Sequence, residues 1–410
     1  MQHTPKGLRL HIGIYGRRNA GKSSLLNRLV GQKAAIVSAT PGTTTDPVEK
    51  TIEFLPIGPV VFIDTAGIDD TGALGELRRE RTLQAIDRTD VAILVTETHA
   101  WGPYEEELAG LLREREIPFF VVLNKADLVA PPADILERLT AEGIDFQPAS
   151  ALTGEGMDAV RDRIVQAAPE AWFEPPRLLG DLLPAGELAI LVVPIDLGAP
   201  KGRIILPQIM AIRDILDSDA YCMVVKEREL KDALGRLNRK PSLVVCDSQV
   251  VLKTAADTPP DIPLTTFSIL MARFKGDLAT LAHGTGVIER LKSGDRVLIS
   301  EACSHHPLAD DIGRVKIPRW LRQFAGGQVH CDVVAGPEFP EDISGYKLIV
   351  HCGGCMINRK NMLSRIFRAR RGGVPITNYG MTIAYVQGVL PRVMAPFLCT
   401  GASNRSISHR

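Results

Sequence analysis

The eight residues Gly16-Arg-Arg-Asn-Ala-Gly-Lys-Ser23 have the spacing GxxxxGKS, which suits a polyphosphate. An apolar run, Leu8–Tyr15, leads into them, and apolar residues at helical spacing (Leu25, Leu26, Leu29) follow, so the loop joins a strand to a helix. Small residues let successive backbone N–H groups converge on an oxyanion at the helix N-terminus. In that setting Lys22 reaches the β and γ oxygens and the Ser23 hydroxyl sits on magnesium. Gly16, Asn19, Ala20, Gly21 and Ser24 complete the set expected against the phosphates.

Three further motifs follow in order. Asp64-Thr-Ala-Gly67 ends the apolar run Val60–Ile63; its carboxylate can hold magnesium through water, and the Gly67 amide can sense a γ-phosphate. Between it and the first loop, Gly42-Thr-Thr-Thr-Asp46 offers a threonine, Thr44 by position, able to close over the magnesium. Asn124-Lys-Ala-Asp127 follows the run Pro118–Leu123 and chooses the base. Asp127 can accept from guanine N1–H and the N2 amine; adenine offers neither, and the carboxylate would be left buried and unpaired. Sites of this kind reject the wrong partner by roughly 10⁴. Ser150-Ala151, after Phe146–Ala149, completes the base pocket. The expected ligands are GTP and Mg2+, with Lys22, Asn19, Thr44, Asp64 and Gly67 as the catalytic set and Lys125 beside the base.

This N-terminal part resembles the translation-factor-like GTPases, near the branch of the tRNA-modification GTPase. The residue after Asp64-Thr-Ala-Gly67 is Ile68, which cannot orient a water as the glutamine of Ras-type enzymes does. In the branch it resembles, a P-loop asparagine helps to bind potassium, and Asn19 holds the matching position. The resemblance implies slow hydrolysis stimulated by K+. Arg17 and Arg18 read as solvated surface.

A second group of chemically capable residues lies far downstream. Cys303-Ser-His305 is followed, after 45 intervening residues, by His351-Cys-Gly-Gly-Cys355. Each cluster stands just past an apolar run, Arg296–Ser300 and Tyr346–Val350. In a parallel sheet such strand ends share one edge, where ligands bind. Packing or redox chemistry of a lone CxxC, a structural zinc site, and an iron–sulfur cluster all fit thiols and imidazoles at this spacing. Three thiolates leave one iron of a 4Fe–4S cluster open, a position that His305, His351, Asp310, Asp311 or a foreign ligand could fill. Cys222, Cys246 and Cys331 lie inside apolar patterns and read as core; Cys399 is assigned nothing.

The elements that must position these residues follow from the rest of the chain. Its 410 residues exceed one core, and 45% hydrophobic with 23% charged residues is ordinary for a soluble protein. Lys plus Arg equals Asp plus Glu at 48 each, so no basic field draws in nucleic acid. Neither a leader nor a membrane-spanning run is found, which makes a cytoplasmic protein with reduced cysteines the expectation. The fold class expected is α/β: a P-loop GTPase domain over residues 1–172, then two further α/β domains with mainly parallel sheets, at 185–257 and 264–397, divided by proline-rich breaks. Strands are expected at Leu188–Val193, Tyr221–Val225, Leu243–Val245 and Gln328–Val334. Helices are expected at Pro207–Leu216, Glu227–Leu237, Ile312–Phe324 and Asn358–Arg370. The basic run Arg365, Arg368, Arg370, Arg371 reads as a solvated helix face.

A GTPase followed by CxH and, after this gap, HCxxC resembles the FeFe-hydrogenase maturation GTPases along the whole chain, and each matched motif is intact. The resemblance implies a scaffold and carrier. Cys303, Cys352 and Cys355 would bind a 4Fe–4S cluster, with His305 and His351 as further candidates. The di-iron precursor would be received from two radical-SAM maturases and delivered to apo FeFe-hydrogenase. It also implies a homodimer through residues 185–257, with no nucleic acid and no membrane as partner. The alternative is a GTPase of tRNA modification or ribosome assembly carrying a structural zinc site, which would bind RNA with a steep salt dependence.

Overall fold

The computed structural model describes residues 4–31, 36–40, 48–65, 81–173, 177–194, 204–302, 311–336 and 339–399. The chain divides into two compact units, Met1–Pro175 and Pro176–Arg410. Its class is α/β with mostly parallel sheets, as expected.

The first unit is built on seven strands: β1 Leu10–Tyr15, β2 Ile36–Thr40, β3 Val48–Phe54, β4 Gly58–Asp64, β5 Val91–Glu97, β6 Phe119–Asn124 and β7 Phe146–Pro148. They lie in the order β2-β3-β4-β1-β5-β6-β7. β1 is parallel to both β4 and β5, and β6 to β5 and β7, while β2, β3 and β4 run antiparallel. β1 is buried along its whole length because both faces are covered. Leu10, Ile12 and Ile14 face the helices Lys22–Gly31 and Met157–Ala167, which bring Leu25, Leu29, Val160 and Ile164. Tyr15, Val61, Leu94 and Val121 face the helices Pro103–Glu114 and Ala133–Ala141, which bring Leu108, Leu112 and Leu139. The sequence reading missed β2 and β3. In β3, Glu49, Lys50 and Glu53 interrupt the apolar pattern, as an antiparallel strand near a sheet edge allows.

The second unit holds two four-stranded sheets, both wholly parallel. β8 Leu188–Val192, β9 Tyr221–Val225, β10 Leu243–Cys246 and β11 Leu264–Thr266 form the order β11-β10-β8-β9. β12 Arg296–Glu301, β13 His330–Ala335, β14 Leu348–His351 and β15 Ile376–Asn378 form the order β13-β12-β14-β15. The two sheets share one continuous core, in which Ile190 and Val244 from the first join Leu298 and Ile349 from the second. A boundary at residue 264 therefore cuts the first sheet, since Leu264–Thr266 is its edge strand. The proline-rich break at residues 258–263 is a surface turn into that strand rather than a division between cores.

Five α-helices described here were not anticipated: Val251–Asp257, Phe267–Lys275, Leu278–Thr285, Tyr379–Val386 and Leu390–Cys399. The second starts at Thr266, whose hydroxyl accepts from the Ile269 N–H. The helix expected at Ile312–Phe324 is two pieces, a π-helical turn Ile312–Lys316 and an α-helix Ile317–Ala325. Pro318, which cannot donate to the preceding turn, sits at the start of the second piece. Among the described residues no helix is long and apolar enough to cross a membrane.

Candidate functional site

The P-loop spans the end of β1 and the start of the helix at Lys22. Gly16, Asn19 and Gly21 have φ of +142°, +63° and +93°. A Cβ on Gly16 would fall 2.0 Å from the Val95 carbonyl oxygen, and one on Gly21 2.1 Å from Asn124 Nδ2, so both positions exclude a side chain. Lys22 is buried, and its Nζ donates to the carbonyls of Gly16 at 2.8 Å and Arg17 at 2.6 Å. The loop thus holds the ammonium over itself, where phosphate oxygens can replace the carbonyls. Ser23 Oγ donates to Asp64 Oδ2 at 2.7 Å, and Asp64 Oδ1 is buried without a hydrogen-bond partner. Burial pushes the Asp64 carboxyl above its usual range, against the Ser23 hydrogen bond and the Lys22 charge. A hydroxyl beside a carboxylate with an orphaned oxygen is the donor chemistry of a hard divalent cation.

The loops after β1, β6 and β7 lie, with Asp64 at the end of β4, at the carboxyl ends of the strands, where open α/β sheets bind ligands. Asn124, the last residue of β6, ties two of them together. Its Nδ2 donates to the Ala20 carbonyl at 2.8 Å, and its Oδ1 accepts from the Ala151 N–H at 3.0 Å. Lys125, at φ +64°, pairs with Glu97, and the Ala126 N–H donates to the Ala149 carbonyl at 3.1 Å. Ser150 is fully buried, and its Oγ accepts from the Thr153 N–H at 3.1 Å. Asp127 is exposed at the rim, open to a base. Thr44, Gly67 and Ile68 lie outside the described residues. Arg17 is not simple solvated surface: Nε and Nη2 donate to Glu105 at 2.7 and 2.8 Å, and its guanidinium lies over the Tyr104 ring. Glu105 is fully buried at the start of its helix and also accepts from the Gly102 N–H, a capping role that gave no sign of a P-loop partner.

In the second unit, β12 and β14 are neighbours with Ser300 opposite His351, so their C-terminal ends share an edge. The Cys352 N–H donates to the Ser300 carbonyl at 2.8 Å, and Cys352 Sγ accepts from the Ala302 N–H at 3.1 Å and the Gly354 N–H at 3.4 Å. Cys303 and His305 lie outside the described residues, but Ala302 is the immediate neighbour of Cys303. Cys352 and Cys355 are half-buried on a turn in which Gly354 adopts φ +61°. Beneath the turn, Lys275 is buried and donates to the carbonyls of Gly354, Cys355 and Ile357. Burial lowers its pKa to about 8, with the Cys355 and Cys352 charges acting the other way.

His351 departs from its expected role as a metal ligand. It is fully buried, and Nδ1 lies 2.7 Å from the Cys352 carbonyl, which can only accept, so Nδ1 carries the proton. Nε2 then accepts from Arg365 Nη1 at 3.0 Å. With both nitrogens engaged, burial and the Arg365 charge hold its pKa down at about 3. Arg365, expected on a solvated face, is only 2% exposed and also donates to Asn361 Oδ1, Ser300 Oγ and the Gly336 carbonyl. Arg368 donates to the Pro340 carbonyl; only Arg370 and Arg371 of that run are exposed. Asp311 Oδ1 caps the next turn by accepting from the Arg314 N–H at 2.9 Å. Glu301, which the sequence reading left out, is a buried carboxylate at the end of β12, held by Arg314 at 3.0 Å and by the Tyr379 hydroxyl at 3.4 Å. Burial raises the thiol pKa of Cys222, Cys246 and Cys331, the last to about 11.

Comparison with known proteins bears on both units. A family model described as 50S ribosome-binding GTPase matches residues 11–125. GTPase Era of Lactobacillus delbrueckii subsp. bulgaricus is 36% identical over 175 residues, 42% of this chain and 58% of that protein. The tRNA modification GTPase MnmE of Nitrosomonas europaea is 38% identical over 161 residues, 39% of this chain and 35% of that protein. The chain thus spans well under two thirds of the curated relatives it matches. Among solved structures, the G domain of the T. maritima FeoB iron transporter is 24% identical, with 39% of this chain and 99% of that chain covered and a TM-score of 0.31. The models described as hydrogen maturase F dimerization domain and hydrogen maturase F tetramerization domain match residues 178–276 and 279–396. Since these two adjoining matches take in just over half of the residues, including the Cys352–Cys355 turn, the chain belongs to the hydrogen maturase F family.

Proposed function

We propose that this protein is a GTP-hydrolysing scaffold that holds a 4Fe–4S cluster, carries a di-iron precursor and delivers it to apo FeFe-hydrogenase. The observation that carries the cluster reading is the hydrogen bond from the Ala302 N–H to Cys352 Sγ, which sets the residue that precedes Cys303 in sequence against the Cys352–Cys355 turn. Two thiols on a turn, with Cys352 Sγ accepting from the Gly354 and Ala302 amides and a third cysteine next to Ala302 in sequence, are a donor set for an iron–sulfur cluster. Cys303, Cys352 and Cys355 would hold it, and the cluster would supply an iron position open to an exchangeable ligand. His305 stays a candidate for that position. His351 does not, because its free lone pair is already given to Arg365.

In the nucleotide site, Lys22 exchanges the Gly16 and Arg17 carbonyls for phosphate oxygens. Ser23 and Asp64 hold magnesium, with Thr44 and Gly67 closing on the γ-phosphate, and Asp127 reads guanine. Asn19 contributes to a potassium site beside the phosphates, where a monovalent cation supplies the charge an arginine finger gives elsewhere. The chain acts in the cytoplasm as a homodimer through residues 185–257, inside the matched dimerization model, and assembles further through the tetramerization segment. Its partners are two radical-SAM maturases and the hydrogenase. The test is anaerobic purification of the full chain, expected brown with broad visible absorption. Cys352→Ala should be colourless after iron and sulfide loading yet hydrolyse GTP at the wild-type rate; a wild-type protein that binds zinc and stays colourless overturns the cluster reading.

A further inference from the structure

We propose that Lys275 is the positioning residue of the cysteine turn and the fixed counter-charge for an anionic ligand held by Cys352 and Cys355. Lys275 ends the helix Phe267–Lys275, more than seventy positions before the turn, and is 1% exposed. Its Nζ donates at 3.1, 3.0 and 2.7 Å to the carbonyls of Gly354, Cys355 and Ile357, which uses all three ammonium protons. These bonds fix three of the six peptide units from Cys352 to Ile357, so the spacing of the two thiols is set from below. Three carbonyls satisfy the protons but leave a whole charge in the interior, and an unpaired buried charge is expensive. Among the described residues, the acidic groups that act on this ammonium are the Cys355 and Cys352 thiols. A methionine or leucine would fill the same volume without that cost. The retained charge points to a ligand that is negative when the thiols bind it, as a thiolate-bound iron–sulfur cluster is.

The identity of the ligand rests on the function proposed above, whereas the positioning role does not, and two measurements separate them. The full chain is prepared metal-free as wild type, Lys275→Met and Lys275→Arg, and hydrogen exchange is followed across residues 352–358. In the Met variant these amides should exchange faster by about tenfold or more, since all three side-chain hydrogen bonds that hold the turn are lost. Exchange in the β12 and P-loop peptides should not change. Unchanged exchange at 352–358 overturns the positioning role. The same proteins are then loaded anaerobically with ferrous iron and sulfide, and the midpoint potential of the bound cluster is measured. The Met variant should be harder to reduce than wild type, and the Arg variant, which keeps the charge, should lie close to wild type. Equal potentials in all three, or an Arg variant that follows Met, overturn the counter-charge role. A wild-type chain that takes up no iron overturns the cluster reading, while accelerated exchange in Met still supports positioning. If the Met variant fails to fold, Lys275→Gln, which also lacks the charge, takes its place in both measurements with the same outcomes expected and the same outcomes overturning each role.

Discussion

Replacing Asn124 by alanine cuts a side chain that joins the P-loop to the loop after β7. The Ala20 carbonyl then loses its donor in a place where Ala20 is 3% exposed, and the half-buried Ala151 amide loses its acceptor. Leaving a buried backbone group unsatisfied costs about 1–3 kcal/mol, and a typical exposed-side bond is worth about 0.5–1.5 kcal/mol, so the pair amounts to about 2–4 kcal/mol. Because both loops lie at the sheet edge and not in its core, this cost should fall on nucleotide binding, which must then order them. At a factor of ten for each 1.4 kcal/mol, GDP affinity should drop by roughly 30- to 1,000-fold. Titration calorimetry with GDP measures the loss, and urea unfolding without nucleotide should show a much smaller change. Asn124→Asp sharpens the test. It keeps an oxygen for the Ala151 N–H but sets a second acceptor against the Ala20 carbonyl, so it should bind GDP no better than the alanine variant. An alanine variant with wild-type GDP affinity, or an aspartate variant that approaches wild type, refutes the reasoning.

The remaining expectations are shorter. Gly21→Ala adds a Cβ 2.1 Å from Asn124 Nδ2 at φ +93°, so GDP affinity by fluorescence titration should fall by about 100-fold or more, and the double variant with Asn124→Ala should lose less than the two effects combined. Arg365→Met removes a buried guanidinium that holds His351, Ser300 and Gly336, and should destabilise the second unit by about 3 kcal/mol in denaturant unfolding while GTP turnover per bound nucleotide stays unchanged. GTP turnover should be faster in potassium than in sodium chloride at equal ionic strength, and Asn19→Ala should abolish the difference; equal rates in both salts for the wild type would falsify the potassium site.

Much of the nucleotide site was legible because each of its motifs is a loop directly after a buried parallel strand. Strands covered on both faces read as unbroken apolar runs, and β1, β5 and β6 were located from them to within two residues. Neither antiparallel strand gave such a run: β3 is interrupted by Glu49, Lys50 and Glu53, and β2 is five residues long with Ser38 and Thr40 in it. In the second unit, β11 and β15 are three residues each, too short for any periodicity, and the mostly apolar stretch at Tyr379–Val386 looks the same as a strand or a helix. Arg365 read as surface because its neighbours in sequence are charged. It is buried because the helix Arg359–Arg371 presents Met362, Arg365, Ile366 and Ala369 on one face, and the arginine answers buried acceptors there.

The two sites share a construction that explains why motifs alone do not describe them. A glycine-containing turn can place its amides around an anion, but for the same reason it does not hold itself still. In the P-loop the restraint comes from Asn124, which donates to the Ala20 carbonyl from the end of β6. In the cysteine turn it comes from Lys275, which donates to three carbonyls from the end of a helix. In both, a polar side chain on a rigid element grips the carbonyls of the turn and leaves its amides free for the ligand or for Cys352 Sγ. Asn124 was visible in sequence because it belongs to the base-reading motif. Lys275 was not, since the helix it ends, Phe267-Ser-Ile-Leu-Met-Ala-Arg-Phe-Lys275, was itself not anticipated, and a lysine in a helix's last turn is most often solvated. What sets Lys275 apart is burial, which only the tertiary structure supplies: a lysine at a helix end in water has no need of three carbonyls, and one that is 1% exposed cannot do without them.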